Sequence, residues 1–371
     1  MKKLLDKASV FLFFAAVLFL SVMSLINWKP IAEEQLSQED PKLDPTGILS
    51  DCFPLRRSWN ELYSRTARIM GQDEIFGIYY EKNGDRLIKL FENSDVNYTN
   101  NSVAAVNAFH RARSRLPIYM MIVPTASGIY RGRLPLPSEA VDQQKLIDDI
   151  YYKIDSEVTP LDVWSPLYAA RDDYIYFRTE DRWTPQGAYE AYAASISKLG
   201  FAPYSVSNYD VDYTHTVYRG SLAETSGIFD TSADTINVYR CKYGSYIKSC
   251  TVLRTSGMID TRSSVYSKNG LRSDDKYSYF LGTTHYKTAK IKTAVEDGPR
   301  LLMIGSDYAS CFLPFLAPHY SDIALINPYE LDDDEKVFQY LETDQYDQVL
   351  ILCDVGSFCG DKGLERICFN L

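Results

Sequence analysis

The sequence predicts an α/β fold with a mostly parallel central sheet that helices cover on both faces, preceded by one transmembrane helix. Short, continuous apolar runs alternate with segments of helical periodicity, and strands that are buried on both faces have this composition. The predicted strands are Ile118–Val123, Leu301–Ile304, Ile323–Ile326 and Val349–Leu352, and the predicted helices are 141–154, 187–199 and 309–316.

The N-terminal segment predicts a membrane anchor. Lys2, Lys3 and Lys7 precede an uncharged apolar run from residue 8 to residue 27. About 20 apolar residues in a helix cross a hydrocarbon core of roughly 30 Å, and a positively charged flank stays in the cytoplasm. A cleaved signal peptide is the alternative, which the poor small-residue spacing at the end of the run disfavours. The predicted organisation is a cytoplasmic N-terminus at 1–7, a signal anchor at 8–27, a linker at 28–46 and an extracytoplasmic domain at 47–371.

The charge of the chain excludes one class of partner. The 371 residues contain 39 Lys and Arg against 49 Asp and Glu, which gives a formal net charge of −10. A protein that binds nucleic acid without sequence preference depends on cationic contacts with phosphates. We therefore expect no nucleic-acid partner.

The cysteines predict one disulfide and no metal site. Cys241 and Cys250 flank a Tyr-Gly-Ser turn and are the best candidates for a bridge, whereas Cys311 and Cys353 lie in apolar runs and are expected to be buried thiols. No Cys-x-x-Cys or His-rich spacing supports zinc binding. The seven cysteines are an odd number, so at least one is free or pairs between chains: Cys52, Cys241, Cys250, Cys311, Cys353, Cys359 and Cys368.

Two strand-to-helix junctions are the expected location of the chemistry, because ligands in α/β folds bind at the carboxyl ends of strands. One junction is Gly305–Tyr308, directly after a predicted strand. The other reads Tyr176-Phe-Arg-Thr-Glu-Asp-Arg-Trp-Thr-Pro-Gln-Gly-Ala188, directly before a predicted helix.

The second junction resembles the signature of the DHHW family, an SGNH-hydrolase-like group of bacterial surface proteins that is similar to the alginate O-acetylation proteins. Further matching blocks occur in the same order along the chain: Asp51–Arg56, Arg219–Leu222, Asp275–Gly282 and Leu301–Tyr320. The resemblance implies a three-layer SGNH-like domain without a cofactor. It also implies an acyl-ester active site in which an Asp–His pair activates a serine nucleophile on a strand-to-helix turn.

The residues that would perform this chemistry are replaced. Glu180 stands at the family's aspartate, Arg182 at its histidine and Asp307 at its serine, while Thr284 replaces an asparagine of the oxyanion loop. Arginine stays protonated in proteins and is no general base. We therefore predict that Arg182 and Asp307 form an ion pair at a vestigial active site. The residues expected to contact a ligand are Trp183, Thr184, Thr284 and Tyr308, although Trp183 is also explained as a residue that fixes the loop.

An active enzyme with a rearranged site is the alternative. Ser306 would then be the nucleophile, His285 the base and Arg182 an oxyanion donor. The other histidines have simpler explanations: His110 as a solvated helix residue, His319 as a packing residue, and His215 as a loop residue without a recognisable partner.

The sequence thus predicts a membrane-anchored, extracytoplasmic pseudoenzyme of a surface-polysaccharide system. Its expected partner is a cell-surface polysaccharide or an O-acetylation protein. The enzyme alternative is an O-acetyltransferase or acetylesterase.

Overall fold

The computed structural model of the chain describes residues 2–36, 53–83, 85–91, 94–135, 140–243, 246–339 and 345–367. It contains two compact units. One comprises Met1–Gln72 with Thr225–Ile228, and the other comprises Asp73–Glu224 with Phe229–Leu371.

The first unit contains the predicted membrane helix. Helix α1 (Lys2–Leu36) includes Val10–Trp28, a stretch of 19 residues with a mean hydropathy of 2.4 that is long and apolar enough to cross a membrane. The helix continues to Leu36, so the first part of the predicted linker is helical; residues 37–46 lie outside the described part of the chain. Helix α2 (Arg56–Ile69) completes this unit, and its buried Ser64 hydroxyl donates to the backbone oxygen of Ser226.

The second unit contains the sheets and most of the helices. Its strands are β1 (Glu74–Ile75), β2 (Ile78–Glu81), β3 (Arg86–Lys89), β4 (Ile118–Val123), β5 (Thr159–Pro160), β6 (Tyr209–Tyr218), β7 (Asp234–Cys241), β8 (Ile247–Arg254), β9 (Ile259–Arg262), β10 (Tyr286–Thr293), β11 (Arg300–Gly305), β12 (Asp322–Ile326) and β13 (Gln348–Asp354). The remaining helices of the chain are α3 (Val96–Ala112), α4 (Ala126–Ile129), α5 (Gln143–Lys153), α6 (Trp164–Ala169), α7 (Pro185–Ser195), α8 (Ser221–Ser226), α9 (Tyr308–Leu316) and α10 (Val355–Gly360). Short 3₁₀ turns lie at Arg131–Arg133, Ile196–Leu199, Val206–Asn208, Gly270–Arg272, Lys276–Tyr279, Pro328–Glu330, Val337–Gln339 and Gly363–Ile367.

An eight-stranded mixed sheet forms the centre of this unit, in the order β5-β4-β13-β11-β12-β10-β8-β9. The strands from β5 to β12 pair in parallel, and β10, β8 and β9 extend the sheet with antiparallel pairs. Strands β1–β3 form a small antiparallel sheet, and β6 pairs with β7.

Helices cover both faces of the sheet, as the continuous apolar strands predict. Successive side chains of a strand point to opposite faces, and those of the central strands enter two separate apolar clusters. One cluster joins Met121, Met303 and Leu350 to residues of α7 and α9, and the other joins Met120, Leu302 and Ile351 to residues of α3, α5 and α10. The predicted three-layer α/β class with a mostly parallel sheet is therefore confirmed.

The cysteine predictions have mixed outcomes. Cys311 and Cys353 are buried as expected, and burial raises the pKa of both thiols. The predicted bridge is wrong, because Cys241 and Cys250 are free thiols. Cys241 ends β7, whose partner is β6, whereas Cys250 lies in β8 of the large sheet, so the segment between them joins two sheets instead of closing a hairpin. Cys52 and Cys368 lie outside the described residues.

Candidate functional site

Two segments that lead into helices meet at the carboxyl end of the parallel strands. One is the turn Gly305–Tyr308 between β11 and α9, and the other is the loop Thr179–Trp183 before α7. The Trp183 indole Nε1 donates to the backbone oxygen of Tyr308 at 3.1 Å, and the Tyr308 hydroxyl donates to the backbone oxygen of Asp181 at 2.9 Å. These reciprocal bonds hold the two segments together.

The loop before α7 is fixed at its base. A β-bridge joins Tyr176 to Trp183. The buried carboxylate of Asp234 accepts hydrogen bonds from the backbone amides of Arg178 at 2.6 Å and Thr179 at 2.8 Å. The side chains at the tip of the loop therefore project from a rigid support.

Trp183 and Thr184 stabilise the loop and do not line the cleft described below. Both are fully buried. Trp183 stacks on Phe312 with 6.0 Å between the ring centroids. Thr184 caps α7, since its Oγ1 accepts a hydrogen bond from the Gly187 amide at 3.2 Å. The expectation that these two side chains contact a ligand is corrected accordingly, and the explanation of Trp183 as a residue that fixes the loop agrees with its packing.

Arg182 lies at the centre of the site and contacts three carboxylates. Its Nε donates to Glu180 Oε1 at 3.0 Å, its Nη1 to Asp307 Oδ2 at 2.9 Å, and its Nη2 to Asp275 Oδ1 and Oδ2 at 3.0 and 3.1 Å. The guanidinium also lies 4.1 Å from the ring centroid of Tyr277, close enough for a cation–π contact. The predicted ion pair between Arg182 and Asp307 is therefore confirmed, and Asp275 is a further partner.

Glu180 is a buried anion with a full set of hydrogen-bond donors. The Tyr218 hydroxyl donates to its Oε2 at 2.9 Å and the Ser221 amide donates to the same atom at 3.0 Å. Burial alone would raise the pKa of Glu180, but the positive charge of Arg182 and these hydrogen bonds outweigh burial and hold the pKa below its usual value. Glu180 therefore stays ionised and anchors Arg182.

Asp307 ionises less readily than an ordinary aspartate. Burial raises its pKa to about 6, assisted by the negative charges of Asp354 and Glu180, while Arg182 favours the ionised form. At neutral pH the carboxylate is charged and paired with the guanidinium. At mildly acidic pH it gains a proton.

Ser306 and His285 have other partners. The Ser306 hydroxyl is buried and donates to Asp354 Oδ2 at 3.1 Å. The His285 ring is largely exposed, and its Nδ1 lies 3.1 Å from Glu330 Oε1. This hydrogen bond with Glu330 raises the pKa of His285. Among the contacts of the described residues, no hydrogen bond joins Ser306 to His285.

Thr284 and Tyr308 do line the cleft, and their contact with a ligand stays a prediction. The Thr284 hydroxyl donates to Asp275 Oδ2 at 3.1 Å, so the same carboxylate holds both Thr284 and Arg182. The chain enters this segment through a tight turn with positive φ at Leu281 (59°) and Gly282 (77°). Positive φ suits glycine but strains leucine.

These residues line an open, acidic cleft of about 640 Å³. Its described lining contains seven carboxylates, namely Glu180, Asp181, Asp275, Asp307, Glu330, Asp354 and Asp361, against the cations Lys89 and Arg182. Lys89 pairs with Asp181 at 3.2 Å. Both cations are therefore already neutralised by carboxylates of the cleft.

Sequence reasoning missed Asp354, Glu330 and Lys89, which come from distant parts of the chain. Asp354 could have been found in the same way as the two junctions, because it lies two residues after the predicted strand Val349–Leu352. Asp275 begins one of the family-like blocks, but nothing in its neighbourhood of the sequence indicates a contact with Arg182, 93 residues away.

Comparison with known proteins identifies a family and solved structures with a similar fold. A family model described as "DHHW protein" matches residues 72–326. A DHHW family protein from Eubacterium siraeum is 21% identical, with a TM-score of 0.64 over 80% of this chain and 95% of that one. PatB1 from Bacillus cereus is 16% identical, with a TM-score of 0.67 over 77% of this chain and 98% of its own. PatB1 with a sulfonyl adduct is also 16% identical, with a TM-score of 0.65 over 75% of this chain and 95% of its own. These identities establish the fold alone, and no curated protein matches the chain.

Proposed function

The chain belongs to the DHHW protein family, and we propose that it is a non-catalytic member that binds a cell-surface polysaccharide or an O-acetylation partner at the acidic cleft. The family resemblance supplies the polysaccharide and O-acetylation context. The residues of the cleft supply the argument against catalysis.

The contacts of Arg182 are the main support for this proposal. It stands where the family's motif has histidine, and three carboxylates saturate its guanidinium. A serine hydroxyl becomes a nucleophile when a neighbouring base accepts its proton, and a guanidinium cannot do so. Asp307, at the position of the family's serine, is held by the same guanidinium. The substitutions thus replace a proton-transfer pair with an ion pair.

The contacts of Ser306 argue against the rearranged enzyme. The Ser306 hydroxyl does not line the cleft, and it donates a hydrogen bond to Asp354. A nucleophile would instead have its oxygen directed toward the substrate in the cleft. His285 does line the cleft, but it contacts Glu330. An active site built from Ser306 and His285 would require both side chains to exchange these partners.

The charge of the cleft favours some glycans over others. Carboxylates outnumber cations in the described lining, and both cations are paired. An anionic polymer would meet like charge without a free cation to bind. Tyr308 and Tyr329 add aromatic surface to the lining, and such rings combine apolar area with a polar hydroxyl. We therefore expect neutral or amine-bearing glycans to bind in preference to polyuronates.

An extracytoplasmic location completes the proposal. Helix α1 would be an uncleaved anchor at 8–27 with residues 1–7 in the cytoplasm, since Lys2, Lys3 and Lys7 flank its start. The domain from residue 47 onward would then lie on the side where surface polysaccharide is found.

The test is the hydrolysis of p-nitrophenyl acetate by the full-length chain in detergent, compared with Ser306→Ala and His285→Ala. We expect all three proteins to match the rate of Ser207→Ala, which removes an exposed serine outside the cleft. Since PatB1 was solved with a sulfonyl adduct, a sulfonyl fluoride is a second probe. We expect peptide mass spectrometry to find no adduct on Ser306.

Turnover that both Ser306→Ala and His285→Ala abolish, while Ser207→Ala retains it, would establish the rearranged enzyme and refute the proposal.

Oligosaccharide binding is measured separately, because inactivity alone does not identify a binding protein. Amine-bearing or neutral oligosaccharides should bind, and polyuronate oligomers should not. Preferential binding of polyuronates would contradict the assignment of the cleft.

A further inference from the structure

Three potential metal ligands meet far from the acidic cleft. His110 lies in the last turn of α3, and Asp155 and Glu157 lie in the connection between α5 and β5. One ligand atom from each of the three residues lies within 4.8 Å of the other two. None of these residues lines the cleft, so the cluster is independent of the function proposed above.

The His110 imidazole is buried and faces both carboxylates. Its side chain is only 6% exposed, its Nδ1 lies 3.3 Å from Asp155 Oδ2, and its Nε2 lies 3.3 Å from Glu157 Oε2. Among the described residues, no atom forms a hydrogen bond of proper geometry with the buried Nδ1. A buried polar atom without a hydrogen bond is costly. An ion bound to Nδ1 and Asp155 would satisfy it, with the exposed Glu157 side chain turning from Nε2 toward that ion. The sequence-based expectation of a solvated His110 is therefore wrong.

The connection that carries the carboxylates is fixed to the helix that carries the histidine. Asn107 Oδ1 accepts from the Asp155 amide at 2.8 Å, and Asn107 Nδ2 donates to the backbone oxygen of Lys153 at 3.1 Å. Residues three apart lie on the same face of a helix, so Asn107 positions the connection opposite His110. Asp155 Oδ1 accepts from the Glu157 amide at 3.3 Å, which turns Oδ2 toward the imidazole.

We propose that His110, Asp155 and Glu157 bind a divalent transition metal, with Zn²⁺ as the best match. One imidazole nitrogen and two carboxylate oxygens are ligands that zinc accepts in tetrahedral geometry, with water in the fourth position. Calcium and magnesium prefer sites composed of oxygen ligands, and the imidazole disfavours them. Glu157 is 72% exposed, so an ion reaches the site directly from solvent. The bound ion would fasten the end of α3 to the connection before β5.

The absence of a zinc signal in the sequence is compatible with this site. Short-range motifs detect ligands that are a few residues apart, whereas 45 residues separate His110 from Asp155. Only the packing of α3 beside α5 brings these ligands together.

The test is calorimetric titration of the EDTA-stripped, full-length chain in detergent with ZnCl₂ at neutral pH. We expect one ion per chain in the wild type and loss of that binding in His110→Ala. Glu157→Gln, which keeps the size of an exposed side chain, should weaken binding at least tenfold. Glu296→Gln is the matched control, because Glu296 is exposed, lies outside both the cluster and the cleft, and should leave the titration unchanged. Co²⁺ should add visible absorption in the wild type that Glu157→Gln diminishes.

Because His110 is buried, its variant is also compared with the wild type by thermal unfolding in EDTA. If His110→Ala does not fold, Glu157→Gln alone decides the question, since an exposed side chain is not needed for packing. A wild type that binds no Zn²⁺, or binding that persists unchanged in Glu157→Gln, would overturn the proposal. In that case the imidazole is an ordinary partner of two carboxylates.

Discussion

At the level of single residues, the charge of the cleft depends on the protonation of Asp307. The carboxyl has a pKa of about 6, raised from 3.8 chiefly by burial. Arg182 therefore loses the negative charge of Asp307 between neutral and mildly acidic pH, while Glu180 stays ionised. A ligand that carries a positive charge would consequently meet a more favourable cleft at neutral pH.

The Asp307→Asn variant tests this assignment through the free energy of unfolding. Because the folded chain binds the proton more tightly than the unfolded chain, the contribution of Asp307 to stability is fully present below about pH 4 and is lost as the pH rises through about 6. The stability of the wild type relative to Asp307→Asn should therefore fall between about pH 4 and pH 6 and change little above pH 7. Urea unfolding at several pH values measures this difference.

Asp347→Asn is the control for that experiment. A hydrogen bond from Arg300 lowers the pKa of Asp347, so its stabilising contribution is present above about pH 4 and is lost only at lower pH. The wild type and Asp347→Asn should thus differ by a constant amount between about pH 4.5 and pH 7. A constant difference for Asp307→Asn as well would refute the raised pKa.

Part of the site could be predicted at this scale. The family resemblance aligns Arg182 with a histidine and Asp307 with a serine, and the complementary charges of the two side chains then predicted their contact. The third partner, Asp275, could not be predicted from the sequence, because its distance from Arg182 depends on how the segment between β9 and β10 folds back. His110 illustrates the same limit, since its burial depends on a connection that lies far along the chain.

At the level of elements, the sequence predicts the buried parallel strands well and the antiparallel half of the sheet poorly. Strand β4 coincides with the predicted Ile118–Val123, and β11, β12 and β13 each contain the predicted apolar run. Strands buried on both faces are continuously apolar, which is a strong local signal. Strand β10 contains Lys287, Lys290 and Lys292, and β8 and β9 beyond it also contain charged and hydroxyl side chains. The antiparallel partners of β10, which are β8 and β12, are not its neighbours in chain order, so local sequence does not predict these pairs.

Gly187 is the residue that allows α7 to approach the preceding segment. A Cβ atom at this position would lie 2.3 Å from the backbone oxygen of Ile175, and backbone cannot move aside as a flexible side chain can. Gly187→Ala should therefore lower the free energy of unfolding by about 1–3 kcal/mol, the usual cost of overpacking. The midpoint of urea unfolding measures the loss.

Gly132→Ala is the matched control, because a Cβ atom there would have no atom of the described residues within 4 Å. We expect its unfolding midpoint to equal that of the wild type. Equal midpoints for the Gly187 and Gly132 variants would mean that α7 can shift away from Ile175. The loop Thr179–Trp183, which leads into α7, would then be less rigid than its hydrogen bonds indicate.

At the level of the whole molecule, the candidate sites and the apolar helix lie in different compact units. The acidic cleft and the proposed metal site belong to the unit that contains the sheets, whereas the apolar helix belongs to the N-terminal unit. A protein with this composition could be retained on a membrane or released from it, depending on whether the helix is an anchor or a cleaved signal peptide. The location of the cleft in the cell depends on that distinction.

We expect the full-length chain to remain in the membrane pellet after a carbonate wash and to retain its N-terminal residues by mass spectrometry. Phe14→Arg with Leu18→Arg should release it, because each arginine at the centre of a membrane helix costs about 2.5–3.5 kcal/mol. Leu62→Arg with Thr66→Arg is the matched control, since it places two charges at the same spacing on the exposed side of α2, outside the apolar stretch. Recovery of a chain that begins after residue 27 would identify a cleaved signal peptide, and the cleft would then belong to a released protein. If the N-terminus is intact and only the Phe14 and Leu18 substitutions release the chain from the pellet, helix α1 is an anchor. The cleft would then stay at the membrane, where a polysaccharide or a membrane-bound partner could reach it.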